Sequence, residues 1–184
     1  MDMFEYVSVL TSVIIGLGIT HLLQGVARLV QHPGRTSIYW VHLTWVFFMF
    51  FTAIFWWWFQ FGLASVDTWT LPLYLFVLSY AVLLYLMCAL LFPSDLDGYP
   101  GFEGYFFARR AWFFGCLIVF FLVDLADTLL KGIEHFVSLG VQYPIGLGAH
   151  VLLCLITTSW STVGLTHAAA RTQRNVVANT LWSI

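Results

Sequence analysis

Leu71-Pro72-Leu73-Tyr74-Leu75-Phe76-Val77-Leu78-Ser79-Tyr80-Ala81-Val82-Leu83-Leu84-Tyr85-Leu86-Met87-Cys88-Ala89-Leu90-Leu91-Phe92 runs for 22 residues without one charge. As an α-helix this stretch rises about 33 Å, and the hydrocarbon core of a bilayer is about 30 Å thick. Pro93 follows at once and marks the stop. The stretch therefore reads as a helix that crosses a membrane.

Four more stretches read the same way: Tyr6–Leu29, Ile38–Leu63, Ala111–Leu130 and Ile145–His167. The segments between them hold the turn residues, among them His32-Pro33-Gly34, Asp67 and Gln142-Tyr143-Pro144. The longest, Pro93 to Phe107, is short and aromatic and is expected to lie along the membrane interface. The expected fold is an all-α polytopic membrane protein of about five transmembrane helices, with residues 1–184 forming one transmembrane domain.

Composition agrees. Hydrophobic residues make up 61% of the 184 and charged residues only 9%, with mean hydropathy +0.89. A soluble domain is about a quarter charged because its surface faces water, so lipid is the expected solvent. Seven Lys and Arg cannot form a stripe that tracks phosphates, which argues against nucleic acid. Cys88, Cys116 and Cys154 each fall in a separate apolar stretch, with no CxxC pair, and read as small buried hydrophobes. The opening Met1-Asp2-Met3-Phe4-Glu5 carries acids where a cleaved leader carries positive charge, so the first helix is expected to be retained.

Orientation follows from the basic residues. Arg28, Arg35, Arg109, Arg110, Arg171 and Arg174 fall on one side of a five-span arrangement, and Lys131 alone on the other. The positive-inside rule then puts the N-terminus outside and the C-terminus in the cytoplasm. A bacterial inner membrane is the expected location.

Polar residues within the spans carry the functional information, because each must find a partner in lipid. Ser8, Ser12, Gly16, Thr20 and Gln24 recur at i, i+4 in the first span and read as a helix-packing seam. In the second span His42, Trp45, Met49, Ala53, Trp56 and Gln60 share a face. Trp56 to Trp58, with Trp69, suit an aromatic belt at the outer interface. In the fourth, Asp124, Asp127 and Lys131 share an arc, and an ionised Asp at such depth costs at least about 2.5 kcal/mol. In the fifth, His150, Cys154, Thr157, Ser161 and Gly164 form a stripe. Counting along the chain puts Asp124 and His150 at similar depth, where they could form a pair that exchanges a proton.

Three readings follow. The leading one is a homo-oligomer forming an ion or proton pathway, with Asp124, Asp127, His150, Thr157 and Ser161 as candidate pathway residues and no cofactor required. The second is electron transfer, with His21 and His42 as axial ligands of a b-type haem and Gly18 and Gly25 lining its slot; histidines hydrogen-bonded to a neighbouring helix are the plainer account of the same two residues. The third is a non-catalytic membrane subunit or scaffold. A membrane-embedded enzyme ranks fourth: an Asp/His cluster could bind a metal, but the paired ligand spacing is absent, as are nucleotide, hydrolase and zinc-protease motifs.

The orientation is testable. Cysteines introduced at Asp2 or Asp67 should react with an impermeant thiol reagent added to intact cells, and one at Arg174 should not. Labelling of position 174 from outside would reverse the assignment.

Overall fold

A computed structural model of the chain describes residues 3–32, 38–66, 68–96, 98–99, 101–130 and 133–158. It is helical throughout its ordered elements: α1 Met3–Gln31, α2 Trp40–Phe59 continued by a 3₁₀ segment Gln60–Ser65, α3 Leu71–Leu91, α4 Phe102–Leu130 and a short α5 Ile133–Ser138. A further apolar helix, α6, spans Gln142–Thr158. Four of these helices are long and apolar enough to cross a membrane, α1 to α4. The protein is thus a polytopic helical membrane protein. Of the expected fifth span, Ile145–His167, residues 159–167 lie outside the described residues.

The chain divides into two compact units, Met1–Asp127 and Thr128–Ile184. In the first, α3 packs most extensively on α1, and α2 touches both. The two run in the same direction, since Gly18 of α1 lies against Tyr85 and Cys88 and Gly25 lies against Phe92. The face that α1 buries is Val7, Thr11, Ile15, Gly18, Leu22 and Gly25. Within the subunit the expected seam is not the buried face: Ser8, Ser12 and Gly16 are only half-buried, Thr20 and Gln24 are exposed, and a Cβ on Gly16 would meet nothing within 4 Å. Larger apolar side chains next to the ridge supply the burial, while the glycines that permit close approach are Gly18 and Gly25. Of the expected α2 face, His42, Met49, Ala53 and Trp56 are buried beside Val46, while Trp45 and Gln60 are half-buried. Trp56 is therefore a core residue against Tyr80, at 5.2 Å between ring centroids, and only Trp57 and Trp58 of that run are exposed.

Helix α4 starts nine residues before the expected Ala111. Hydropathy falls at Arg109 and Arg110, but the helix does not end there. Gly101, at φ +104, makes the turn, and Phe102, Tyr105 and Phe106 give the first two turns an apolar face to bury. Aromatic rings then bridge α4 to its neighbours: Trp45 meets Phe113 and Phe114 at 5.4 and 5.0 Å, and Tyr80 meets Phe120 at 5.0 Å. Offset or edge-on pairs at such distances contribute about 0.5–1.5 kcal/mol each beyond burial.

In the second unit, α5 is followed by a turn at Gly140, φ +70. Thr128 Oγ1 and the Tyr143 hydroxyl hydrogen-bond at 2.9 Å and tie the end of α4 to the start of α6. Cys154 is buried on α6.

The close approach at Gly25 is open to test. A Cβ there would run into the Phe92 ring, and Phe92 is itself fully enclosed. Gly25→Ala should destabilise the fold by about 1–3 kcal/mol, the usual cost of overpacking. Gly16→Ala should change the detergent-solubilised melting temperature little, so equal effects at both sites would refute the packing assignment.

Candidate functional site

The last carbonyls of any helix lack intrahelical donors, and where the helix end is buried, as at Leu91 and Phe92, water does not take their place. Helix α3 meets this constraint sharply. Its C-cap, Phe92, turns extended at φ −122° and ψ 113°, and the next residue, Pro93, has no N–H to offer. Three side chains from three other helices supply the donors. The Tyr105 hydroxyl of α4 donates to the Leu90 carbonyl at 3.0 Å, His42 Nε2 of α2 to Leu91 at 2.6 Å, and His21 Nε2 of α1 to Phe92 at 2.8 Å. A carbonyl only accepts, so both imidazoles carry their proton on Nε2.

His42 is 1% exposed and sits among rings. It stacks on Phe102 at 5.2 Å and 15°, and Phe92 and Phe106 approach it edge-on at 5.0 and 6.1 Å. The two histidines are thus bonded to a neighbouring helix, as the plainer sequence reading holds. The haem reading loses its footing on two counts. Each Nε2 is spent on a carbonyl, and the room beside Gly18 and Gly25 is filled by α3 itself, with the Tyr85 Cα and Cys88 Sγ both 3.5 Å from a Cβ placed on Gly18.

The acidic candidates lie elsewhere on the first unit. Thirteen uncharged residues, 111–123, separate Arg110 from Asp124, which puts the carboxyl about 20 Å along the helix. Asp124 is half-buried, and its Oδ1 accepts a hydrogen bond from the Tyr80 hydroxyl of α3 at 3.3 Å. Tyr80 is itself buried among Trp56, Phe76 and Phe120. Asp127 is also half-buried, one turn further along. Its expected partner Lys131 lies outside the described residues. Below Asp124 the stripe continues as Phe120, Leu117 and Phe113, all buried and all apolar.

On the second unit, His150 is exposed, and its Nδ1 lies 2.6 Å from the Gly146 carbonyl of its own helix. Thr157 is exposed and donates to the Leu153 and Cys154 carbonyls at 3.0 and 2.8 Å. Its hydroxyl is thus taken up by its own helix. Ser161 lies outside the described residues. No cluster of three or more His, Cys, Asp or Glu able to hold a metal occurs among the described residues.

Sequence reasoning did not foresee Tyr80 or Tyr105. Each sits in an apolar run where tyrosine reads as one more aromatic, and only the fold reveals what its hydroxyl reaches. The chain matches no protein-family model, no curated protein and no solved structure. Its chemistry is therefore argued from these side chains alone.

The clamp on α3 predicts an order of effects. His42→Phe keeps a ring in the box but leaves the Leu91 carbonyl without its donor, and should cost about 1–3 kcal/mol. His32→Phe, on an exposed site, should cost less than about 0.5 kcal/mol. Reversible denaturation in mixed detergent micelles would measure both, and a His42→Phe loss no larger than that of His32→Phe would remove the clamp from the stabilising contacts.

Proposed function

We propose that this membrane protein takes part in an ion or proton pathway, with Asp124 as the group that takes up the cation. The observation that supports the reading is the bond from the buried Tyr80 hydroxyl to a carboxyl set deep in an apolar helix. Ionisable groups at membrane depth are costly and are kept chiefly where a pathway or relay needs them. Asp127, one turn away, would be the next acceptor on the same arc.

The route does not run straight through one subunit. Phe113, Leu117 and Phe120 on α4, with Leu84 and Met87 on α3, close the interior beyond Asp124 with buried apolar side chains. A homo-oligomer supplies the remaining wall in this reading. The Ser8-Ser12-Gly16 face suits a second copy, since Gly16 has open space within the subunit and small residues permit helices to approach. His150, Thr157 and Ser161, the other candidate pathway residues, belong to the second unit. The setting proposed is a bacterial inner membrane, with the acidic end of α4 outward.

Flux in proteoliposomes tests the reading. Asp124→Asn should abolish or strongly reduce cation-dependent flux, and Tyr80→Phe, which removes only the hydroxyl, should shift its pH dependence. Gly16→Leu should convert oligomers to smaller species on size-exclusion chromatography without unfolding the subunit. Wild-type flux and pH profile in a folded Asp124→Asn variant would end the pathway proposal.

A further inference from the structure

Arg110 does more than mark one side of the membrane. It falls on the inward stripe of α4, three or four residues from Phe106, Phe113 and Phe114, all of which are buried. Arg109, its neighbour, is exposed, whereas Arg110 is half-buried. The guanidinium carbon lies 4.9 Å from the centre of the Phe107 ring, so the side chain leans back towards the start of α4. Its Nε is enclosed and has no hydrogen-bond partner. No carboxylate pairs with it among the described residues. The Nε side of the guanidinium is thus enclosed, which leaves its terminal nitrogens to meet a countercharge.

The same corner holds a second feature that favours an anion. Tyr39, the N-cap of α2, packs on Phe106 and Phe107 at 6.1 and 6.0 Å and gives α2 no side-chain cap. The positive end of the α2 dipole, uncapped by the Tyr39 side chain, therefore borders the rings over which Arg110 lies. We infer that Arg110 and the N-terminus of α2 together bind the phosphate of an anionic lipid headgroup between α2 and α4. Lipid is the argued source because the basic corner sits near the end of a membrane-spanning bundle. Arg28, in the last turn of α1, stands at the same end, and basic recesses between transmembrane helices are known receptors for anionic headgroups. Arginine suits the task, since its planar fork donates two hydrogen bonds to one phosphate.

The experiment uses purified full-length protein in detergent, titrated with dioleoyl phosphatidylglycerol, dioleoyl phosphatidylcholine or inorganic phosphate and read by native mass spectrometry and thermal shift. Phosphatidylglycerol should bind and stabilise, and phosphatidylcholine should do so far less. Arg110→Gln should weaken phosphatidylglycerol binding roughly tenfold or more, as expected for loss of charge-assisted hydrogen bonds, while exposed Arg109→Gln should weaken it less than about threefold. If Arg110→Gln does not fold, Arg110→Lys serves in its place, because it keeps the charge but not the fork, and its affinity should still fall below wild type. A shift produced by inorganic phosphate alone, and lost in the Arg110 variant, would overturn the lipid as source and leave a site for soluble phosphate. Equal phosphatidylglycerol binding by wild type and a folded Arg110 variant would overturn the site altogether.

Discussion

A helix whose end is buried inside a bundle has to dispose of its final carbonyls, and α3 does so with side chains from each of the other three long helices. In water the same carbonyls would be hydrated at little cost. Here Leu90, Leu91 and Phe92 receive Tyr105, His42 and His21 in turn. Much of the surrounding structure follows from that exchange. His42 must reach inward from α2, so it is buried, and Phe92, Phe102 and Phe106 close around its ring. Phe92 must lie against α1 for His21 to meet its carbonyl, which is why only a glycine fits at position 25. Tyr105 must be helical to present its hydroxyl, so α4 begins well before its apolar stretch does.

How much of this was legible in the sequence depends on what kind of signal each element sends. The spans are visible because twenty uncharged residues have few alternative explanations. The buried face of α2 is visible because His42, Met49, Ala53 and Trp56 repeat at helical spacing, and large or costly side chains are placed where packing decides. The face of α1 is not visible in the same way. Its serines repeat as regularly, but a hydroxyl can bond within its own helix, as Ser12 Oγ does to the Val9 carbonyl at 2.8 Å. Such a residue is content on either face, so its spacing says little about the direction of the core. Glycine is informative only with its neighbour known. Gly16 and Gly18 look alike in sequence, yet one faces open space and the other the α3 backbone.

The candidate site shows a related limit. A search for a partner to Asp124 that considers only charge leads to His150. Charge alone does not lead to Tyr80, an uncharged tyrosine 44 residues away in the chain, whose hydroxyl donates to Asp124. Nothing in an apolar run marks Tyr80 as a donor and Tyr74 as a bystander. The same holds for both histidines: partners that are backbone carbonyls leave no trace in the residue pattern. Hydropathy locates costly groups, while the fold decides what offsets their cost.

The polar contacts of the first unit differ in what a proton would do to them. A histidine that gives its Nε2 proton to a carbonyl keeps that bond whether or not Nδ1 is protonated, so the clamp on α3 holds in either state. It is suited to fixing helices and poorly suited to switching them. The Tyr80–Asp124 contact is of the other kind. A carboxylate accepts the tyrosine hydroxyl through a charge-assisted bond, and a protonated carboxyl loses that strength. This contact, unlike the clamp, joins α3 to α4 through a group whose charge sets the strength of the bond, which within the proposed pathway favours Asp124 over either histidine.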